Sequence, residues 1–335
     1  MKQSKKAFWG AVGVTAAATA AITYAVTKQM VDLAMDREEP AAAKRAGQHV
    51  SGTHRPEALD NELHQAAAVL AHKPHEVVKL LSHDGVVLTG HWFPCENAQR
   101  VVLAMHGWRS SWCRDFGLVA DFLAENHCSV LYVEQRGQND SGGAYMGLGM
   151  IERYDCLDWA QWLAQRCGDL PVYLCGISMG ATSVLMAAGL QLPECVHGII
   201  SDCGFTSPGA IGKHVANHNL HMLYEMRSGL VDMFCRRKIQ MGIDEYSTVD
   251  AMQQCKVPVL FIHGSRDQFV PVEMTYENYQ ACRAPKKLFV VPGADHGMSY
   301  YRDKAGYQAV VKQFWANWDN ADPAGSCFSG TAGVE

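Results

Sequence analysis

The chain has 335 residues, of which 48% are hydrophobic and 19% are charged, and its formal net charge is −5. This length and composition suit one large folded domain and argue against intrinsic disorder. The small acidic excess gives no electrostatic reason to expect a nucleic-acid partner. We therefore expect a folded domain that binds no nucleic acid.

Residues 1–28 are predicted to attach the protein to a membrane. The stretch from residue 7 to residue 26, "AFWGAVGVTAAATAAITYAV", is uncharged, follows three lysines and precedes several acidic residues. About 20 such residues can cross a bilayer, and the lysines favour a cytoplasmic N-terminus with the rest of the chain outside. Two alternatives remain. One is a signal peptide cleaved near Ala18-Thr19-Ala20, giving a secreted protein, and the other is a helix that packs on the folded domain.

The remainder of the chain divides into a linker, one large folded domain and a tail. Residues 29–70 contain the polar run "DREEPAAAKRAGQHVSGTHRPEALD" and are predicted to form a stalk or linker. Residues 71–320 alternate short apolar runs with helical patterns. This alternation predicts an α/β domain with a mostly parallel sheet covered by helices on both faces. Residues 321–335 are predicted to be a C-terminal tail.

The segment 204–255 interrupts this alternation. It reads "HVANHNLHMLYEMRSGLVDMFCRRKIQMG" over much of its length, which has helical character, and it separates two predicted strands. It is too long for a simple connection between neighbouring strands. We interpret it as a small helical cap inserted into the domain.

Ser178 is the candidate nucleophile. It lies in "VYLCGISMGATSVLM", where Gly-x-Ser-x-Gly follows a predicted strand and precedes a predicted helix. Such a sharp turn presents a serine at the sheet edge, and glycines are needed where strand and helix approach closely. The motif alone is also compatible with an ordinary glycine-rich turn that contains a serine.

Asp267 and His296 are the candidate partners of Ser178. Asp267 follows the strand "VLFIHG", and His296 follows the strand "LFVV". The carboxyl ends of parallel strands meet at one sheet edge, so the order Ser178, Asp267, His296 predicts a catalytic triad. Asp202 and Asp295 are alternative candidates for the acidic residue.

The segment "LAMHGWRSS" supplies the remaining catalytic element. It follows a predicted strand, and backbone N–H groups in this place stabilise the oxyanion of acyl transfer. We predict that the N–H groups of Trp108 and Met179 form the oxyanion hole. Phe205, Met222 and Met226 are candidate residues of the substrate pocket, because they are apolar and belong to the predicted cap or its edge.

These segments together resemble the α/β-hydrolase superfamily. Within it, the resemblance is to serine-aminopeptidase-like and lysophospholipase-like hydrolases, including bacterial members with an N-terminal membrane anchor. The matching segments are "HGWRSS", "EQRGQNDSGG", "ERYDCLDW", "GISMGATSVLM", "SDCGFTSP", "HGSRDQFVP" and "GADHG". The resemblance implies the α/β-hydrolase fold and serine hydrolase chemistry, but the substrate is left open because this fold hosts many reactions.

We expect a membrane-anchored serine hydrolase that cleaves small or lipid-like carboxylic esters through an acyl-enzyme. The chemistry requires no metal or organic cofactor, and none is predicted. One alternative is a peptidase or aminopeptidase that uses the same three residues. Another is a binding protein on a degenerate hydrolase fold, which the intact set of Ser178, Asp267 and His296 disfavours.

Overall fold

The computed structural model describes residues 2–38 and 57–320, with the backbone alone described for residues 2–16. A single sheet of eight strands forms its centre. The strands are β1 (Glu76–Leu81), β2 (Val87–Phe93), β3 (Arg100–Met105), β4 (Cys128–Glu134), β5 (Val172–Ile177), β6 (Val196–Asp202), β7 (Val259–Gly264) and β8 (Lys286–Val291).

The sheet order is β1-β2-β4-β3-β5-β6-β7-β8. β1 pairs antiparallel with β2, and β2 pairs antiparallel with β4, whereas every later pairing is parallel. Strands β3, β4 and β7 are buried along their whole length, which explains their continuous apolar sequences. The sequence predicted this mostly parallel α/β architecture, and the prediction is confirmed.

Helices cover both faces of the sheet. In chain order they are α1 (Lys2–Met35), α2 (Glu57–His72), α3 (Trp112–Phe116), α4 (Ala120–Glu125), α5 (Glu152–Arg166), α6 (Met179–Ala187), α7 (Pro208–His214), α8 (Ser228–Ile239), α9 (Thr248–Gln254), α10 (Val272–Ala281), α11 (Ser299–Arg302) and α12 (Lys304–Trp318). One apolar core lies between the sheet and helices α5, α6 and α9. The other lies between the opposite face and helices α3, α4 and α12. These two cores fix the strand ends from which the site is built.

The segment 204–255 lies between β6 and β7 and contains α7, α8 and α9. A π-helical turn, Val215–Asn219, follows α7 directly, and the chain then runs irregularly until α8 begins. The connection is therefore helical but is not one continuous helix.

The N-terminal region differs from the predicted stalk. α1 continues to Met35, and its last turns pack against α8. Part of the segment 29–70 is thus helical and in contact with the domain, since Glu57–His72 also forms a helix that packs on α3. Apolar side chains at helical spacing, including Val31 and Met35, explain this packing. Within the described residues, no helix combines the length and the apolar character that crossing a bilayer requires. The predicted tail, 321–335, lies outside the described residues.

Candidate active site

Ser178 stands on a sharp turn between β5 and α6. Its backbone has φ 55° and ψ −116°, a conformation that non-glycine residues adopt at a cost and that clusters at functional sites. The two flanking glycines allow this turn. A Cβ at Gly180 would lie 2.0 Å from the carbonyl oxygen of Met105, and one at Gly176 would lie 2.3 Å from the backbone of Gly180. The Gly-x-Ser-x-Gly spacing is therefore required by close backbone contacts.

Ser178, His296 and Asp267 form a continuous hydrogen-bonded chain. The Ser178 hydroxyl oxygen lies 2.9 Å from Nε2 of His296, and Nδ1 of His296 lies 2.7 Å from Oδ2 of Asp267. With a proton on Nδ1, the imidazole donates to Asp267 and accepts from Ser178. The structure therefore brings together the three residues predicted from the sequence, in the geometry of a nucleophile, a base and an orienting acid.

Asp267 is held by more than His296. Its Oδ1 accepts hydrogen bonds from the backbone N–H groups of Phe269 and Val270, at 2.9 and 2.8 Å. Its Oδ2 also lies 3.1 Å from Nε2 of His263, a fully buried side chain on β7. Sequence reasoning missed His263, although a histidine inside the apolar run "VLFIHG" was a visible signal of a buried polar partner.

The electrostatics of the pair favour its charged forms. Burial opposes ionisation of Asp267, but the imidazole of His296 and the hydrogen bonds from His263 and His296 outweigh it and hold the pKa of Asp267 well below its ordinary range. Burial likewise opposes protonation of His296, yet the neighbouring Asp267, assisted by Cys203, raises the pKa of His296 well above its ordinary value. Asp267 can thus stabilise the imidazolium that forms during proton transfer.

The two alternative acids occupy other positions. The carboxylate of Asp202 is fully buried and accepts a 2.9 Å hydrogen bond from the Ser299 hydroxyl, and burial raises its pKa to about 6. Asp295 accepts a hydrogen bond from the backbone N–H of His296. Neither carboxylate has a hydrogen bond to the His296 ring, so the geometry favours Asp267.

Cys203 is a second residue that sequence reasoning missed. It directly follows β6 with φ 51°, is fully buried, and its thiol lies beside the His296 side chain. Burial raises the pKa of this thiol to about 11, so the thiol is neutral beside the imidazole. Potential metal-ligand atoms of Cys203, Asp267 and His296 lie within 4.8 Å of one another. The carboxylate of Asp267 and the imidazole of His296 are hydrogen-bonded to each other through two of these atoms.

The two predicted oxyanion donors flank Ser178. Met179 is the first residue of α6, so its N–H points from a helix N-terminus, where backbone donors and the helix dipole favour negative charge. Trp108 follows Gly107, and a Cβ at Gly107 would lie 3.3 Å from Cβ of Ser178. The loop therefore lies directly against the nucleophile.

Buried polar contacts fix this loop. The Gly107 N–H donates to Asp115 at 2.6 Å, and the His106 side chain bridges the Gly107 carbonyl, at 2.8 Å, and the Gln135 N–H, at 3.2 Å. His106 is fully buried. Its imidazole therefore positions the loop and does not reach the reacting atoms.

An apolar cavity of about 150 Å³ opens onto Ser178. Its walls come from α1, from the loops after β3 and β7, from the loop before α5 and from the 204–255 insertion. The aromatic walls are Trp108, Phe205, Tyr224 and Phe269, and the α1 residues are Met30, Val31, Leu33, Ala34 and Met35. No charged side chain is present among the described residues that line this cavity. A site of this kind favours an apolar group next to the reacting carbonyl.

Of the three pocket residues predicted from the sequence, the structure places only Phe205 in the cavity wall. Met222 and Met226 are not part of the wall, and Met226 is 77% exposed. The prediction rested on their apolar character and their position in the predicted cap. In the structure a π turn ends at Asn219, and both methionines fall in the irregular stretch before α8.

Comparison with known proteins identifies a family and several relatives of this chain. Residues 114–321 match the model of the prolyl oligopeptidase family. Among curated proteins, the uncharacterized protein YqkD of Bacillus subtilis is 27% identical over 198 residues, which cover 58% of this chain and 64% of YqkD. The lysophosphatidylserine lipase ABHD12 of Danio rerio is 27% identical over 164 residues, 48% of this chain and 41% of that protein. The matched region is thus less than two thirds of either relative.

Solved structures with the same fold include esterases and peptidases. An esterase of Pyrococcus furiosus superposes with a TM-score of 0.61 at 22% identity, covering 74% of this chain and 92% of the esterase. A puromycin-hydrolyzing peptidase of Mycobacterium tuberculosis gives a TM-score of 0.59 at 17% identity, covering 75% of this chain and 40% of the peptidase. At these identities the likeness establishes the α/β-hydrolase fold. Because the family match covers more than half of the chain and includes Ser178, Asp267 and His296, the protein is a hydrolase that belongs to the prolyl oligopeptidase family.

Proposed function

We propose that the protein is a serine esterase that hydrolyses carboxylic esters with small or lipid-like apolar acyl groups. One observation carries the proposal. The Ser178 hydroxyl oxygen lies 2.9 Å from Nε2 of His296 and also lines an apolar cavity of about 150 Å³. A nucleophile paired with a base at the wall of an apolar cavity suits acyl transfer from an apolar ester.

The mechanism follows from the roles of the residues. The Ser178 oxygen attacks the ester carbonyl while Nε2 of His296 takes the hydroxyl proton. Asp267 accepts the hydrogen bond from Nδ1–H of His296 and stabilises the resulting imidazolium. The N–H groups of Trp108 and Met179 stabilise the negative oxygen of the tetrahedral intermediate. His296 then protonates the leaving alkoxide, and the acyl group remains on Ser178.

Deacylation follows the same steps, with water as the nucleophile in place of Ser178. A water molecule loses a proton to Nε2 of His296 and attacks the acyl-serine carbonyl. The second tetrahedral intermediate collapses, Ser178 recovers its proton from the imidazolium, and the carboxylic acid leaves. No step requires a group that the chain does not supply.

A peptidase using the same residues is the second candidate, because the matched family model is that of a peptidase family and one solved neighbour is a puromycin-hydrolyzing peptidase. An aminopeptidase needs an anionic group to bind the substrate amine. The described cavity residues include no aspartate or glutamate. The ester proposal is therefore preferred, and a peptidase would have to accept apolar residues without a charged anchor.

Hydrolysis of a matched substrate panel separates these alternatives. We would measure kcat/KM on p-nitrophenyl esters of increasing chain length beside aminoacyl p-nitroanilides of similar size, for the parent chain and Ser178→Ala. Ester cleavage that falls by about four to six orders of magnitude in Ser178→Ala is expected, since removal of a triad nucleophile costs that much. Cleavage of anilides without esters would favour the peptidase. Absence of both activities and of Ser178-dependent fluorophosphonate labelling would favour a binding protein.

We also propose that residues 1–28 hold the enzyme at a membrane, with the catalytic domain outside the cytoplasm. The support is the uncharged stretch of residues 7–26 and the lysines before it. A secreted form cleaved near residue 20 is the alternative. Membrane fractionation and the N-terminal sequence of the mature protein distinguish the two. Recovery of the uncleaved chain in the soluble cytoplasmic fraction would refute both.

A further inference from the structure

The last turns of α1 form part of the cavity that contains Ser178. Five residues of this helix, Met30, Val31, Leu33, Ala34 and Met35, line the cavity. Val31 and Met35 are 4% and 1% exposed, and they pack with Phe234, Cys235 and Ile243 from the 204–255 insertion. The cavity is therefore closed on one side by a segment that lies far from the triad in sequence.

Polar contacts hold the C-terminal end of α1 in place. The last carbonyls of a helix lack partners within the helix and need other donors. The indole N–H of Trp108 donates to the Ala34 carbonyl at 2.9 Å. The Arg109 guanidinium donates to the carbonyls of Leu33, at 2.8 Å, and Asp36, at 2.7 Å. Two residues of the predicted oxyanion loop thus cap the helix that closes the cavity.

A second set of contacts joins α1 to the insertion and to the loop before α5. Lys238 of α8 forms an ion pair with Asp32 at 2.9 Å and another with Asp36, and its side chain is only 12% exposed. The Met146 N–H donates to the Met35 carbonyl at 2.7 Å. These contacts fix both the position and the rotation of the helix, so the same α1 side chains face the cavity.

We propose that residues 30–35 of α1 are the acyl-selecting wall of the site and limit the acyl chain to about six carbons. This limit follows from the volume, since a dry apolar cavity of about 150 Å³ holds a benzene-sized molecule. Leu33 and Ala34 are the informative residues. A smaller side chain at residue 33 enlarges the cavity, and a larger one at residue 34 fills it. The predicted effect on kcat/KM rests on the proposed esterase function.

The expected signature is a dependence on chain length. Each methylene buried in the cavity should raise kcat/KM about fourfold, so the parent chain should improve from acetate to about hexanoate and then stop improving. Leu33→Ala should extend the rise to longer acyl chains by two or three carbons. Ala34→Leu should lower the ratio of hexanoate to acetate hydrolysis by about tenfold or more.

The experiment compares the two variants with Ile22→Ala as a matched control. Ile22 lies on the same helix but is 63% exposed and does not line the cavity. Acetate hydrolysis and the far-ultraviolet circular dichroism spectrum report whether each variant is folded. Unchanged chain-length profiles in folded Leu33→Ala and Ala34→Leu would overturn the inference, whereas opposite shifts with an unchanged profile for Ile22→Ala would support it.

A binding measurement separates this inference from the proposed function. We would titrate 1-butanol, 1-hexanol and 1-decanol into Ser178→Ala chains that also carry each α1 substitution, using calorimetry. If the parent chain cleaves no ester but alcohol affinity shifts with Leu33→Ala and Ala34→Leu, the acyl wall stands and the esterase proposal fails. If esters are cleaved while neither affinity nor chain-length profile responds to the two substitutions, the acyl wall fails and the esterase proposal stands.

Discussion

The buried carboxylate of Asp202 should make the fold less stable as the pH rises. Burial raises the pKa of Asp202 to about 6. A folded-state pKa above the unfolded value of about 3.9 means that folding favours the protonated form. The stability that this carboxyl contributes is fully present below about pH 4 and is lost as the pH rises to about 6. We therefore predict that Asp202→Asn gains stability over the parent chain, and that the gain increases with pH.

The magnitude follows from the two pKa values. At about 1.36 kcal/mol per tenfold change in proton affinity, the ionised carboxylate costs the fold about 3 kcal/mol at pH 8 and about 1.5 kcal/mol at pH 5. The amide keeps an oxygen that accepts the Ser299 hydrogen bond. Whatever constant offset the amide introduces, the gap between variant and parent should widen by about 1.5 kcal/mol between these two pH values.

Urea unfolding at pH 5 and pH 8 measures this gap. Asp169→Asn is the matched control, because Asp169 is exposed and an exposed carboxylate is solvated alike in the folded and unfolded chains. A gap for Asp202→Asn that is the same at both pH values, or that narrows at pH 8, would refute the reasoning. A gap for Asp169→Asn that widens equally would mean that the effect is a general one of net charge.

Three further predictions concern the site and the turns around it. Asp267→Asn should lower kcat by about 10⁴ while the chain stays folded. It should also move the acidic limb of the kcat/KM profile to lower pH, because the carboxylate that raises the pKa of His296 is gone. An acidic limb at the same pH in parent and variant would contradict the pairing of Asp267 with His296. Gly180→Ala should destabilise the chain by about 3 kcal/mol or more in urea unfolding, because its Cβ would lie 2.0 Å from the Met105 carbonyl oxygen. Gly229→Ala is the control, because a Cβ there has no neighbour within 4 Å. It should be neutral or stabilise the chain by up to about 1 kcal/mol. Arg109→Ala should speed amide hydrogen exchange in the last turns of α1 without changing it in α12. Equal protection of α1 in the variant and the parent chain would show that the guanidinium does not hold the helix.

The sheet and the three aligned side chains could be predicted because they depend on local sequence. Continuous apolar runs identify parallel strands, and a residue just past such a run must lie at the sheet edge. That rule places Ser178, Asp267 and His296 together without knowledge of the packing. The sequence favoured Asp267 but left Asp202 as an alternative, because a position near a strand end does not give the distance to the imidazole, which the structure gives.

The cavity wall could not be predicted because it depends on contacts between distant segments. The residues after the uncharged stretch were interpreted as the start of a stalk, but Val31 and Met35 are buried against the insertion. Met222 and Met226 were assigned to the pocket as apolar residues of the predicted cap, but both lie in the irregular stretch between the π turn and α8. Tertiary packing and local irregularities of this kind leave little signal in a single sequence.

The proposed acyl wall lies far along the chain from Ser178, Asp267 and His296. The region matched to the family, residues 114–321, contains Ser178, Asp267 and His296, whereas Trp108 and the α1 wall precede it. Under the proposed assignment, changes confined to residues 30–35 would alter the acyl preference and leave these three residues unchanged. A recombinant chain trimmed to its family-matched region would lose β1, β2, β3 and the loop that contains Trp108 as well as α1, so substrate profiling requires the chain with these strands and its N-terminal helix.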